Sequence, residues 1–144
     1  MQGDERLIRD VRMLVDGSEE VLGAVLGIRG PRPGSEVLVL LPYPLLLVLT
    51  DNHVLAVGTS ALVFAVIWVL RRYAIIARTT KQVLLVENGR RRRLHVPASA
   101  ERLPLDAIVP DPGGRNAVTV GGARFWVTGP HVDEVRRLAA LPVT

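Results

Sequence analysis

Residues 37–70 read VLVLLPYPLLLVLTDNHVLAVGTSALVFAVIWVL, thirty-four positions with one formal charge, at Asp51. Arg29 and Arg32 stand ahead of this block, and Arg71 and Arg72 directly behind it. Apolar length between arginine flanks is the pattern of a membrane segment, because charge is costly in hydrocarbon and basic residues stay on the cytoplasmic side. The polar triplet Asp51-Asn52-His53 divides the block into Val37–Thr50 and Val54–Leu70. The reading is a helical hairpin in the cell membrane with both termini cytoplasmic.

Length separates the two runs. The second is roughly 26 Å long as a helix, near the ~30 Å of a hydrocarbon core, and Trp68, Arg71, Arg72 and Tyr73 suit the headgroup level. The first reaches roughly 24 Å when counted from Ser35. Pro42 and Pro44 each remove an amide donor from it, so a kinked, re-entrant or non-helical course stays open. A soluble alternative rests on an internal echo: residues 46–57, LLVLTDNHVLAV, overlay residues 75–86, IIARTTKQVLLV, and both read as two apolar strands about a polar turn. On that reading the span becomes a buried core. Against it, residues 58–70 continue without a polar break and would need burial on every side.

Composition agrees with either course. The mean hydropathy of +0.29 and the 49% hydrophobic content are high for a soluble domain, with only 4% aromatic residues. The chain has no cysteine, which excludes a disulfide framework, a thiolate metal site, a cysteine nucleophile and cysteine lipidation. The start, Met1-Gln2-Gly3-Asp4-Glu5-Arg6, lacks the basic residues and immediate apolar run of a cleaved signal peptide, so insertion would use the internal spans. Charge is uneven: five arginines face eight acids through residue 70, and thirteen Lys and Arg face six acids after it. A basic half directly behind a span is drawn to the anionic inner leaflet.

Ahead of the block, Leu7, Ile8, Val11, Leu14 and Val15 fall at helical spacing among Arg6, Arg9, Asp10 and Arg12. They predict an amphipathic helix of about three turns, stopped by Asp16-Gly17. Ser18 is placed to cap a second helical stretch through Glu19, Glu20, Val21, Leu22 and Val25, and Gly30-Pro31-Arg32-Pro33-Gly34 ends it. Gly23 and Gly27 have the spacing of a helix-packing motif but lie outside the span, where turn and flexibility explain them.

Behind the block the chain reads as β structure and one helix. Tyr73–Arg78 and Val83–Glu87 form a hairpin about residues 79–82, Asn88-Gly89 turns into a strand over Arg90–Val96, and Leu105–Val109 is a further short strand. Asn116–Val120 and Ala123–Val127 flank Gly121-Gly122, the strongest hairpin signal, since two glycines accept the positive φ of a tight turn. Pro130 then opens a helix whose buried stripe is Val132, Val135, Leu138 and Ala139. A span ending Arg71-Arg72-Tyr73, the hairpin over Ile76–Val86, the segment Arg102-Leu103-Pro104-Leu105-Asp106-Ala107-Ile108, the Gly-Gly turn and the closing helix together resemble the bacterial pleckstrin-homology-like domains of small actinobacterial membrane-associated proteins. The resemblance covers the C-terminal half and implies a seven-stranded barrel that serves as a binding or scaffolding module without catalytic residues. About six strands are legible after the span, and the echo at residues 46–57 is a candidate for the seventh.

Arg90-Arg91-Arg92-Arg93 is the one local feature that points to a ligand. Guanidinium forks match phosphate oxygens, so anionic lipid headgroups are the candidate, with Arg71, Arg72 and Lys81 as further contacts. A solvated edge strand that resists aggregation explains the same run, and nucleic acid is the third reading, without the interleaved aromatics that single strands need. No catalytic, metal or cofactor motif stands out: His53, His95 and His131 lack ligand spacing, and there is no Gly-x-Ser-x-Gly elbow. The expectation is an α+β chain in three parts. Residues 1–34 form an N-terminal amphipathic segment, 35–72 an apolar membrane hairpin, and 73–144 a small antiparallel β-rich domain closed by a C-terminal helix. It would be a non-enzymatic binding or assembly module, with the lipid bilayer as partner and a protein partner or self-association open. A soluble interaction domain with a buried helix, or a holin-like small membrane protein, is the alternative.

Overall fold

Residues 74–79 and 83–86 are buried at every position, where simple alternation would leave every second one exposed. The reason is that their sheet is covered by helices on both faces, so both sets of side chains leave water. The computed structural model describes residues 2–89, 99–113 and 116–142. It divides into two units, Met1–Arg29 with Arg72–Thr144, and Gly30–Arg71.

The first unit is α+β. Helix α1 (Gln2–Arg12) leads into strand β1 (Val21–Arg29), and after the inserted second unit come β2 (Arg72–Thr79), β3 (Val83–Gly89), β4 (Ala100–Leu103), β5 (Ile108–Pro110), β6 (Ala117–Val120), β7 (Ala123–Val127) and helix α4 (Pro130–Ala140). The seven strands form one open antiparallel sheet in the order β4-β3-β2-β1-β7-β6-β5. On one face Val25, Ala74, Ile76, Leu85, Val118 and Phe125 pack with Val135 and Leu138 of α4. On the other, Ala24, Ile75, Ala77, Leu84 and Val86 pack with Val11 of α1 and, at their margin, Leu7 and Ile8.

Three expectations change here. Residues 19–25 are not a second helix: Val21–Arg29 is the central strand, paired with β2 from Val21↔Thr79 to Arg29↔Arg72 and with β7 at Gly27↔Val127 and Ile28↔Trp126. With both faces buried, this strand carries no polar alternation, and its Gly-x-x-x-Gly spacing imitates a helix. The seventh strand therefore comes from ahead of the apolar block and not from residues 46–57, which are helical apart from their turn. Residues 105–107 form a 3₁₀ turn, and only Ile108–Pro110 is strand. The strand expected over Arg90–Val96 lies outside the described residues, and the N-terminal segment belongs to the sheet unit through α1 and β1.

The Gly-Gly hairpin forms as read: Gly121 and Gly122 have φ of 57° and 82°, the left-handed values a primed turn requires. Gly23 is needed for a different reason. A Cβ there would lie 2.8 Å from Leu138 Cδ2 and 2.6 Å from Glu134 Oε1, so the missing side chain lets α4 settle on β1. The helix is then fastened by two arginines. Arg137 donates to the Leu22 carbonyl at 3.2 Å. Arg78, 2% exposed, donates to the carbonyls of Leu138, Leu141 (2.9 Å) and Pro142 (3.1 Å). A buried cation at the negative end of a helix supplies donors to carbonyls that have no partner inside it.

Candidate functional site

The second unit is a helical hairpin built almost wholly of apolar residues. A 3₁₀ turn (Ser35–Val39) leads into α2 (Pro42–Thr50), and α3 (His53–Leu70) returns against both. The two prolines sit in the first turn of α2, with Pro42 at its first position. The amides they lack would have had no helical acceptor there, so they start this helix and do not kink it. Five 3₁₀ residues rise about 2.0 Å each and lengthen the first leg toward the roughly 27 Å of the eighteen-residue α3.

Local chemistry closes the hairpin at both ends. At the tip, Asp51 takes the left-handed conformation (φ 49°) and its N–H donates to the Leu47 carbonyl at 2.9 Å. Asn52 then caps α3, its Oδ1 accepting from the Leu55 N–H at 3.1 Å. The polar triplet that divides the block in sequence thus ends one helix and begins the next. At the base, Arg71 forms an ion pair with Glu36 and donates to the Arg32 carbonyl at 3.5 Å, and the Gly34 N–H donates to Glu36 Oε2 at 2.8 Å. Arg71 is therefore committed to holding the two legs together.

The outer surface is where this unit departs from ordinary protein. Among the described residues, nineteen large apolar side chains stay exposed, and seventeen of them lie in Gly30–Arg71, including Val54, Leu62, Phe64, Trp68 and Leu70. Ala56 is the one buried residue of α3. This helix is long and apolar enough, by length and composition, to cross a bilayer, and little of it is buried within the chain.

Of the residues read from sequence as headgroup contacts, those described do not all gather in one place. Arg72 is exposed at the start of β2, directly opposite Arg29, which reaches Glu87 at 3.2 Å. Lys81 occupies the turn at the other end of the same strand, roughly 25 Å away along it, with its Nζ donating to Ser18 Oγ at 3.3 Å. That turn is a structural knot: Thr79 Oγ1 and Gln82 Nε2 both donate to the Glu19 carboxylate. Lys81 thus separates from the others, and Arg90, Arg91, Arg92 and Arg93 lie outside the described residues. Among the described residues no group of three His, Cys, Asp or Glu could hold a metal ion.

Two features escaped the sequence reading. Arg78 looks like one more basic residue of a hairpin, yet it is buried, and only the fold reveals the carbonyls it serves. Arg124 lies 4.8 Å above the ring of Trp126, two residues along the same strand, and pairs at 2.7 Å with Asp111, the residue after β5. No family model, no curated protein and no solved structure matches the chain.

Proposed function

We propose that this protein is a non-enzymatic binding or assembly module anchored in the cell membrane by the hairpin of residues 30–71, with the sheet unit and both termini on the cytoplasmic side. The observation that carries the reading is the exposed apolar surface of α2 and α3, which water would penalise at about 25 cal/mol per Å² and which hydrocarbon accepts. The arginines at both ends of the hairpin support the orientation. The sheet unit has seven antiparallel strands and a closing helix, but they form an open sheet and not the barrel that the resemblance to pleckstrin-homology-like domains implies. A folded sheet weighs against a holin-like pore, whose tail is short and unstructured. Anionic headgroups remain the proposed ligand of Arg72, which stands beside the insertion, and of the run Arg90 to Arg93.

The direct test is an alkaline carbonate wash of membranes from cells making the full chain, followed by cysteine accessibility. The wash should leave the protein in the membrane pellet. Because the native chain has no cysteine, single cysteines at positions 2, 52 and 144 report without background: position 52 should react with an impermeant thiol reagent in intact cells, and positions 2 and 144 should not. Release by carbonate or labelling of position 144 from outside would refute the topology.

A further inference from the structure

The register of the central strands builds a row of side chains that neither sequence periodicity nor the hairpin explains. Ile28 of β1 is opposite Tyr73 of β2 on one side and opposite Trp126 of β7 on the other, so the three stand side by side on one face of the sheet. Ile28 is buried, while Tyr73 and Trp126 are half-exposed. The next pair along β1 and β2 is Arg29 and Arg72, the two residues through which the chain passes into and out of the inserted hairpin. Arg124 adds a cation above the Trp126 ring, oriented by Asp111. Two amphipathic rings and a guanidinium, one residue along the strands from the point of insertion, have the chemistry of a bilayer interface: rings that lie at headgroup depth and a fork that pairs with lipid phosphate.

We infer that Tyr73, Trp126 and Arg124 form an interfacial seat, which rests the insertion end of the sheet on the phospholipid headgroup layer. The inference depends on the membrane reading above.

The chain has two tryptophans, so Trp68→Phe leaves Trp126 as the sole reporter and Trp126→Phe leaves Trp68. Each full-length variant is reconstituted into phosphatidylcholine and phosphatidylglycerol vesicles containing a rising fraction of lipid with a nitroxide on its headgroup. A third variant carries a fluorophore on Lys81→Cys. Trp126 should lose most of its emission as the nitroxide fraction rises, while the label at position 81 keeps its own. Quenching of Trp68 with Trp126 unaffected would overturn the seat and leave the membrane anchor standing. Equal quenching of Trp126 and position 81 would also overturn it, since the sheet would then lie on its side. With neither tryptophan quenched, seat and anchor both fall.

Discussion

The sheet unit and the hairpin are made from the same apolar residue types and treat them in opposite ways. Of the twenty-two buried apolar residues among those described, all but Ala56 belong to the sheet unit, whereas the hairpin holds most of the exposed ones. The sheet hides its side chains because two helices cover it. The hairpin has two legs that touch along one side only, and the rest of each faces outward. One set of residue types thus gives a unit that buries its apolar side chains and a unit that leaves most of them exposed. Since Arg29 and Arg72 are paired neighbours on β1 and β2, the second is an insertion into what would otherwise be a simple β-hairpin turn.

The largest test of this contrast removes the insertion. Joining Arg29 to Arg72 through Asn-Gly, a two-residue turn suited to antiparallel neighbours, should give a soluble, monomeric β-rich protein with a cooperative unfolding transition, while the full chain stays in the membrane pellet. Sedimentation and circular dichroism report both. An aggregated excised form would mean that the sheet unit depends on the hairpin to fold.

Within the excised form, Arg78→Met should be the most damaging single change. It leaves the carbonyls of Leu138, Leu141 and Pro142 without their donor, and at about 1–3 kcal/mol for each buried group left unmade the loss should reach about 3 kcal/mol in urea unfolding. A variant as stable as its parent would show that water can replace the guanidinium.

Replacing Gly121 and Gly122 together by Val comes next. Their φ of 57° and 82° penalises a side chain by roughly 1 kcal/mol or more at each site, and the Cβ at position 121 would also meet Leu103 Cδ1 at 2.9 Å. The same urea titration should show the loss. An unchanged midpoint would mean that the turn relaxes into another type.

The smallest effect belongs to the hairpin. Glu36→Gln removes the carboxylate that pairs with Arg71, a pair whose side chains are 42% and 14% exposed, so the cost should be about 1 kcal/mol or less. Thermal melting in detergent micelles, followed by helical ellipticity, should fall by a few degrees. A collapse of the whole transition would make this ion pair the main link between the legs and would weaken the view that apolar packing joins them.

The two units also differed in how far they could be read. The second helix of the hairpin, the polar break at its tip and the two basic flanks were legible from apolar length and charge, whereas Pro42 and Pro44, read as interrupting the first run, begin its helix, and Asn52 caps the next. The β2–β3 hairpin, the Gly121-Gly122 turn and the closing helix were also legible, each marked by its own turn or cap residues. Strand β1 was not. Residues 21–29, VLGAVLGIR, carry Leu and Ala, which favour helices, and a strand buried on both faces loses the alternation that identifies it. Of the headgroup contacts read from sequence, Lys81 and Arg72 are nine positions apart in the chain and stand at opposite ends of one strand, which only the fold shows.

What the sequence determined by itself is therefore local and compositional: an apolar block divided at Asp51-Asn52-His53, arginine at both ends, glycines where φ must be positive, and a basic C-terminal half. Only the tertiary structure decided that residues 21–29 are the central strand, that Arg78 is a buried cap, that Gly23 makes room for Leu138, and that Tyr73, Ile28 and Trp126 share a row. Each of these depends on contacts between residues tens of positions apart. Their energies come from burial and from hydrogen bonds closed across the sheet, neither of which leaves a periodic mark on the chain.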